Sequence, residues 1–574
     1  MLRILKKLAR WFDHNGVLFF AGLLVLLIPL YPKIPIFSPI EQYIVRVRLE
    51  DFVVAIAVAF TFIQILRKKA RFDKIVLFLM SAYALAGILS MLSAIFISQT
   101  VPMQPLHIAK TALHFFRYME YFSVFFVSFA AIRSKKDVYT LLKLLVVAVF
   151  AVALYGYMQK FFYWPVYSTM NREFSKGIRL VLTEHARIQS TFAGHYDMAA
   201  YLVIVLPIIL SLALTIRNKK KKIIIYLVFF SGFWLMVMSA SRIPFAAILF
   251  GLLLTILLHA IIKTKLVDKF TFLFSRTLVS SIFLLFMLYY FGQNMLDRIS
   301  NAISSSDNPI NINKMIDDVL DPLPLPQASQ LLAWLPKAPA LPENSEAAPD
   351  LEAAIIAQVA SIGDQPPVPK NPTPTAVVAD RPRDVYEDIP EPVDTYETLA
   401  DGTIQRVVIH KTRVYSDCAL KHELSLCIRL ESLWPWALQS FTTNPIFGTG
   451  YATLNKQFVD EFTIADSTDN NYLRVLGETG LLGFLTFYGL CMYLLISTGL
   501  SIKKLKSGMD RALAIGFTGG AIGLLINATY IDVFAASKVA YSFWFFAGLI
   551  RANYLLPRVS TIKKTKQKRR HVDH

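Results

Sequence analysis

Charge is scarce in this 574-residue chain: 17% of its residues are Asp, Glu, Lys or Arg, while 55% are hydrophobic. Soluble proteins carry about 25% charged residues. A water-soluble chain of this length would divide into several domains, each needing its own polar surface. Too few charges are present for that, and they are clumped between long apolar runs. A soluble multidomain enzyme is excluded, and the apolar content excludes a disordered chain. Cysteine is scarcer still. Cys418, Cys427 and Cys491 are too few for a disulfide scaffold or a cysteine-rich metal site. A leader-type cleavage site is also lacking after the first apolar run, Gly16 to Leu30. The basic, amphipathic start MLRILKKLARWFDH therefore reads as the lead-in to an uncleaved first span.

What is present is a series of apolar stretches. A membrane helix needs about 20 mostly apolar residues. About twelve such stretches occur, at 16–35, 50–66, 75–97, 109–132, 138–158, 196–216, 223–240, 243–262, 272–291, 472–499, 510–530 and 539–556. The expected class is an all-α polytopic membrane protein. Spans 1–9 fill 1–291, spans 10–12 fill 472–556, a large extracytoplasmic loop covers 292–471, and a basic tail follows at 557–574.

The net charge of +19 would suggest nucleic acid in a soluble protein. Here it marks sidedness. RKKAR (67–71), RSKK (133–136), RNKKKK (217–222), KTKLVDK (263–269), KKLKSGMDR (503–511) and IKKTKQKRR (562–570) all fall on one side. By the positive-inside rule that side is cytoplasmic, with both termini on it. The tail suits topology or anionic lipid, and no nucleic-acid partner is expected.

The outer loop is of a different composition. Residues 301–400 hold 16 of the 28 prolines, and 301–420 hold 18 acidic against 8 basic residues. Such sequence buries little apolar surface and is expected to be extended, with a helix possible at 344–361. Alternation at 404–415 predicts a strand or hairpin, and 401–471 is expected to be ordered. On this outer side Cys418 and Cys427 can pair or remain free thiols. His410 and His422 lie nearby, but the spacing fits no zinc site. No metal is expected.

Arginines at the outer rim draw attention next. Arg242 lies in SASRIPFAAILFG, at a tight junction whose Pro244 suits a first helical turn. Arg187 lies in TEHARIQSTFAGHYDMAAYL, and Arg429 in LCIRLESLWPWALQSFTTNPIFGTGYATLN. A guanidinium is always charged, and its fork of donors matches phosphate oxygens. Three together would suit a pyrophosphate, although a single rim arginine also snorkels. Gly448 and Gly450 permit close backbone approach. In STDNNYLRVLGETGLLGFLTFYGL, either Asp469 or Asn470 can cap the helix that follows. Asp469 can also act as a general base for a sugar hydroxyl. Glu478 is a second candidate base, or a partner that orients an arginine. His114, Arg117 and Glu120 share roughly one helix face, as an ion-pair network or the wall of an acceptor cavity.

Three blocks resemble the O-antigen ligase and O-antigen polymerase superfamily of bacterial membrane glycosyltransferases. They are RIQSTFAGHYDMAAYLVIVLPI (187–208), SASRIPFAAILFG (239–251), and IRLESLWPWALQSFTTNPIFGTGYATL (428–454) with DNNYLRVLGETGLLGFL (469–485). Their order, the number of spans and the large loop before the tenth match as well. The resemblance implies a C-type glycosyltransferase fold in the bacterial cytoplasmic membrane, with an outward-facing site. It implies transfer of an undecaprenyl-pyrophosphate-linked glycan to an acceptor sugar hydroxyl, in surface polysaccharide assembly. Arg187, Arg242 and Arg429 would bind the pyrophosphate. The histidine that starts the last outer motif of the ligases falls on Asp469, which leans the assignment away from lipid A-core ligation and toward polymerisation or another transfer. His185 and His195 can supply that histidine in space, and with Asn470 complete the expected acceptor site. The expected chemistry is a single inverting displacement without cofactor or metal, with Asp469, or alternatively Glu478, as the catalytic carboxylate. The rival readings are a lipid-linked oligosaccharide flippase or other secondary transporter, and a protein O-oligosaccharyltransferase of the same superfamily. Transporters commonly show related halves, and 1–290 does not resemble 291–574.

Overall fold

The computed structural model describes residues 2–303, except 41–42, 171 and 183–185, and residues 424–570, except 457, 464–465 and 506. It also describes 391–398, 404–411, 314–315, 416 and 418. The helix expected over 344–361, most of the Pro-rich stretch and His185 lie outside the described residues.

Helices occupy every apolar stretch read from the sequence. The first five are α1 (Leu2–Leu30), α2 (Leu49–Leu66), α3 (Lys74–Phe96), α4 (Pro105–Ala131) and α5 (Lys135–Phe162). A short α6 (Arg172–Ser175) precedes α7 (His195–Thr215), α8 (Lys219–Met238), α9 (Arg242–Ile261), α10 (Leu266–Phe291) and α11 (Gln293–Ile303). After the long loop come α12 (Leu424–Ile428), a π-turn (Arg429–Leu433), α13 (Trp434–Thr443), α14 (Asn471–Ser501), α15 (Gly508–Asn527) and α16 (Ser537–Arg570). Ten helices among the described residues are long and apolar enough to cross a membrane, so the chain is a multi-pass membrane protein. The other two that fill predicted spans are α4, which carries Lys110, Arg117 and Glu120, and α16, which runs on into the basic tail.

Strands are few. β1 (Pro35–Phe37) pairs with β2 (Val47–Arg48) between α1 and α2. In the long loop, β3 (Glu391–Thr398) pairs antiparallel with β4 (Ile404–Lys411), where alternation predicts a strand.

Burial follows side-chain pattern. α7 reads MAAYLVIVLPIILSLALT with no polar face, and 89% of its apolar window is buried. A helix apolar all round belongs at the centre of such a bundle. α10, by contrast, is 11% buried and lies at the edge against α8 and α9. Between lipid-exposed helices the hydrophobic effect gives little preference, so close packing of small residues holds them together. α15 supplies two glycine stripes. A Cβ on Gly516 or Gly520 would lie 2.5 Å from Ile208 Cα or 2.4 Å from Ile204 O of α7. One on Gly519 or Gly523 would lie 2.6 Å from Gly251 O or 2.9 Å from Ala247 O of α9.

α14 is broken in its N-terminal half. Gly480 has φ +62°, where an L side chain is strained, and a Cβ there would lie 2.4 Å from Ile446. The NPIFGTG turn fills the break. Thr449 N donates to Gly477 O (3.0 Å), Gly450 N to Glu478 O (2.9 Å), Leu481 N to Pro445 O (2.8 Å) and Leu482 N to Ile446 O (3.2 Å). Backbone groups freed by a break inside a membrane need such partners. The glycines of the turn thus allow close approach to the backbone of α14 itself: a Cβ on Gly448 would lie 2.5 Å from Glu478 C.

Candidate functional site

Alternation of the helices places the ends of α1, α3, α5, α8, α10 and α15 and the starts of α2, α4, α7, α9, α14 and α16 on the side away from the basic loops. Two polar clusters form there.

The first is built around the start of α14. Asn470 is the cap: its side-chain oxygen accepts from Tyr472 N and Leu473 N, both at 3.1 Å. Asp469, one residue earlier, is free of capping and sits at φ +50°, in the left-handed region that Asp tolerates but seldom adopts. Its side chain is 35% exposed and accepts an ion pair from Arg429 Nη2 at 2.7 Å. Burial pushes its carboxyl above the usual aspartate range, and Arg429 opposes that rise.

The segment is fixed from behind by Asp532, in the turn between α15 and α16. Its Oδ1 accepts from Asn470 N (3.1 Å) and Thr468 Oγ1 (2.9 Å). Its Oδ2 accepts from Ser467 Oγ (2.9 Å), Thr468 N (3.0 Å) and Arg474 Nη1 (2.9 Å). Ser467 Oγ, whose one proton is shared between the two carboxylates, also lies 2.9 Å from Asp469 Oδ1. Arg474 lies one turn into α14, buried, with Nε 3.3 Å from Glu478 Oε1. Glu478 is 1% exposed and accepts from Ala452 N at 3.1 Å. It therefore orients Arg474 and ties the NPIFGTG segment down, while Asp469 is the carboxylate open to an incoming group.

Arg429 opens the π-turn between α12 and α13. It is 4% exposed and its guanidinium lies 4.0 Å from the centroid of Tyr530. Nη1 donates to Ser425 O and, at 2.5 Å, to Ser425 Oγ. Cys427 is disulfide-bonded to Cys418, with Cα atoms 5.8 Å apart, so these two cysteines are not free thiols.

Beside this cluster the loop before α14 docks on α4. Lys110 Nζ pairs with Asp466 Oδ2 at 3.0 Å, and Tyr43 OH donates to the same oxygen at 2.7 Å. His114 Nε2 lies 2.6 Å from Tyr43 OH. Arg117 pairs with Asp51 (2.8 Å) and Glu120 (2.9 Å), so the face predicted on α4 splits between two networks. Lys456, in the same loop, lies 3.2 Å from His107 Nδ1. Burial and the nearby Lys110 push its ammonium down to about 8.

The second cluster is basic. Arg187 donates from Nη1 to His195 Nε2 (2.6 Å) and Tyr196 OH (3.5 Å). Arg242, the first residue of α9, donates to the carbonyl of Arg298 at 3.1 Å. α11 packs on α8 and α9, and the charges of both Arg187 and Arg298 act on His195. Arg298 thus lies close to the starts of both helices, its carbonyl bonded to Arg242 and its charge felt by His195, which an amphipathic but otherwise unremarked QNMLDRISNAI does not announce. Arg429 belongs to the first cluster, with Asp469. Sequence reading also missed Asp532 and Tyr530. Both lie in a short turn with no motif, and only the fold brings it over the start of α14. Among the described residues no group of three His, Cys, Asp or Glu could hold a metal ion. No protein-family model matches the chain, and no curated protein does.

Proposed function

We propose that this protein is an outward-facing membrane glycosyltransferase that moves a polyprenyl-pyrophosphate-linked glycan onto a sugar hydroxyl, as the resemblance to O-antigen polymerases and ligases implies. All twelve long helices would then cross the bacterial cytoplasmic membrane, in a C-type glycosyltransferase arrangement with both termini inside. The observation that carries the reading is Asp469. It is a partly exposed carboxylate in a left-handed backbone conformation, held by Arg429 and by a buried platform of Asp532 and Arg474. Strained, over-determined backbone of this kind is enriched at working sites.

In the reaction the acceptor hydroxyl oxygen forms a bond to the anomeric carbon, and the bond from that carbon to the phosphate oxygen breaks. The electron pair leaves with polyprenyl pyrophosphate, and the hydroxyl proton passes to Asp469. A single displacement inverts the anomeric centre. Arg187, Arg242 and Arg298 form the cationic cluster suited to the pyrophosphate, whose charge grows as it departs. Arg429, already paired with a carboxylate, serves the acceptor side.

The test uses membranes supplied with lipid-linked repeat units. Asp469→Asn and Arg242→Ala, at wild-type protein levels, should each lower polymer formation at least about a hundredfold, the scale of losing a general base or an oxyanion contact. Normal chain length in both variants would defeat the reading. Deletion that alters the sidedness of the lipid-linked glycan, with chain length unchanged, would favour the flippase.

A further inference from the structure

The surroundings of Asp469 hold more than a base. Tyr530 and Trp434 meet edge to face, with centroids 6.3 Å apart at 90°, and both rings keep part of their surface open. Arg429 lies on Tyr530 at 4.0 Å and on Asp469 at 2.7 Å. Two buried donors here, Arg429 Nε and Trp434 Nε1, have no hydrogen-bond partner among the described residues. A buried donor left unpaired costs about 1–3 kcal/mol, so it is uncommon unless something binds it. The local cations are already answered, with one carboxylate to spare: Asp469 pairs with Arg429, and Asp532 and Glu478 both pair with Arg474. A pyrophosphate placed here would face a carboxylate 2.7 Å from the guanidinium. A neutral polyol would not. Its hydroxyls could donate to Asp469 and, by displacing the side chains that enclose them, accept from the two unpaired N–H groups, while its C–H face lay along an aromatic ring.

We infer that Asp469, Arg429, Tyr530 and Trp434 form a subsite for a neutral sugar ring, and, resting on the transferase reading above, that this ring is the acceptor.

The experiment uses the purified full chain in nanodiscs and two probes. One is the oligosaccharide released by mild acid from the cells' own lipid-linked glycans; the other is inorganic pyrophosphate. Tryptophan fluorescence should change with the oligosaccharide in the wild type, and the Trp434 part of that change should be absent from Trp434→Phe. Affinity should fall about fivefold in Trp434→Phe, which loses one hydrogen bond and keeps a ring, and about tenfold or more in Tyr530→Ala. Pyrophosphate should give no Trp434-dependent signal. Oligosaccharide affinity unchanged in both variants, or a Trp434-dependent response to pyrophosphate, would overturn the subsite. A parallel transfer assay separates the two ideas. Transfer absent in the wild type with sugar binding intact removes the transferase reading and leaves the subsite. Transfer with unchanged KM in both variants removes the subsite and leaves the transferase.

Discussion

Replacement of Asp532 should damage this protein more than replacement of any carboxylate predicted from sequence. Its two oxygens accept from two backbone amides, two hydroxyls and Arg474, all between 2.9 and 3.1 Å. Asp532→Ala leaves Arg474 buried with one carboxylate, Glu478 at 3.3 Å, and the Asp466 carbonyl, also at 3.3 Å. Breaking a buried ion pair from one side costs about 3–5 kcal/mol, because the partner charge stays behind. That is a large part of an ordinary stability of about 5–15 kcal/mol. Asp532→Asn keeps the shape and one acceptor oxygen, and should cost about 1.5–3 kcal/mol, the worth of a hydrogen bond to a charged group. Arg474→Met removes the stranded cation. The double variant Asp532→Asn with Arg474→Met should therefore be less destabilised than the sum of the singles by about 1–3 kcal/mol. Denaturant titration in detergent, followed by near-ultraviolet dichroism, measures all three. Asp532→Ala within about 1 kcal/mol of wild type would refute the claim that Asp532 holds the 467–470 segment, and strict additivity of the double variant would refute its coupling to Arg474.

Other consequences are more local. Gly480→Ala forces a side chain into φ +62° and against Ile446; it should cost about 2 kcal/mol or more, seen as a lower unfolding midpoint. If Asp469 is the base, transfer should fail as pH drops through its raised pKa, so the acid limb of the rate–pH profile should lie above that of an ordinary aspartate, at about 3.9. Arg429→Met, which removes the opposing charge, should move that limb higher still. Lys456, with its pKa pushed down to about 8, should be acylated faster at pH 8 than the exposed lysines of the basic loops, as read by peptide mass spectrometry. Because that folded value lies below the unfolded one, the lysine adds stability as pH rises from about 8 toward 10.4. Lys110→Met should raise its pKa and slow its acylation. Peptide mapping without reductant should recover Cys418 joined to Cys427, and Cys491 as a free, buried thiol.

The membrane body was legible because its signal is one-dimensional. A run of about 20 apolar residues can do little else than form a helix in lipid, and each such run has its helix. α4 was readable despite Lys110, Arg117 and Glu120, and each of these charges has a partner on another segment: Asp466, Asp51 and Tyr541. The break at Gly480 was not readable. GETGLLG looks like a continuous helix until the turn 445–450 is seen filling it. The site divides in the same way. Arg187, Arg242, Arg429 and Asp469 stand out as rim charges in sequence. Their groupings do not, because Arg298 and Asp532 reach them from segments about 56 and 63 residues away from Arg242 and Asp469.

Those groupings separate two tasks by charge. Around the start of α14, Asp466, Asp469, Glu478 and Asp532 face Lys110, Arg429 and Arg474, a nearly neutral set made of close pairs. Around the starts of α7 and α9, Arg187 meets His195 and Arg242 meets the Arg298 carbonyl, with Asp197 and Asp297 close by in sequence. A single site serving both a pyrophosphate and a sugar would need one electrostatic character for two unlike groups. A dianion is held by several guanidinium donors, and a sugar is held by directional donors and acceptors beside a ring. On the transferase reading, the bond that is made lies between the two clusters, and Asp469, the open carboxylate of the neutral one, is on the side where the proton must go.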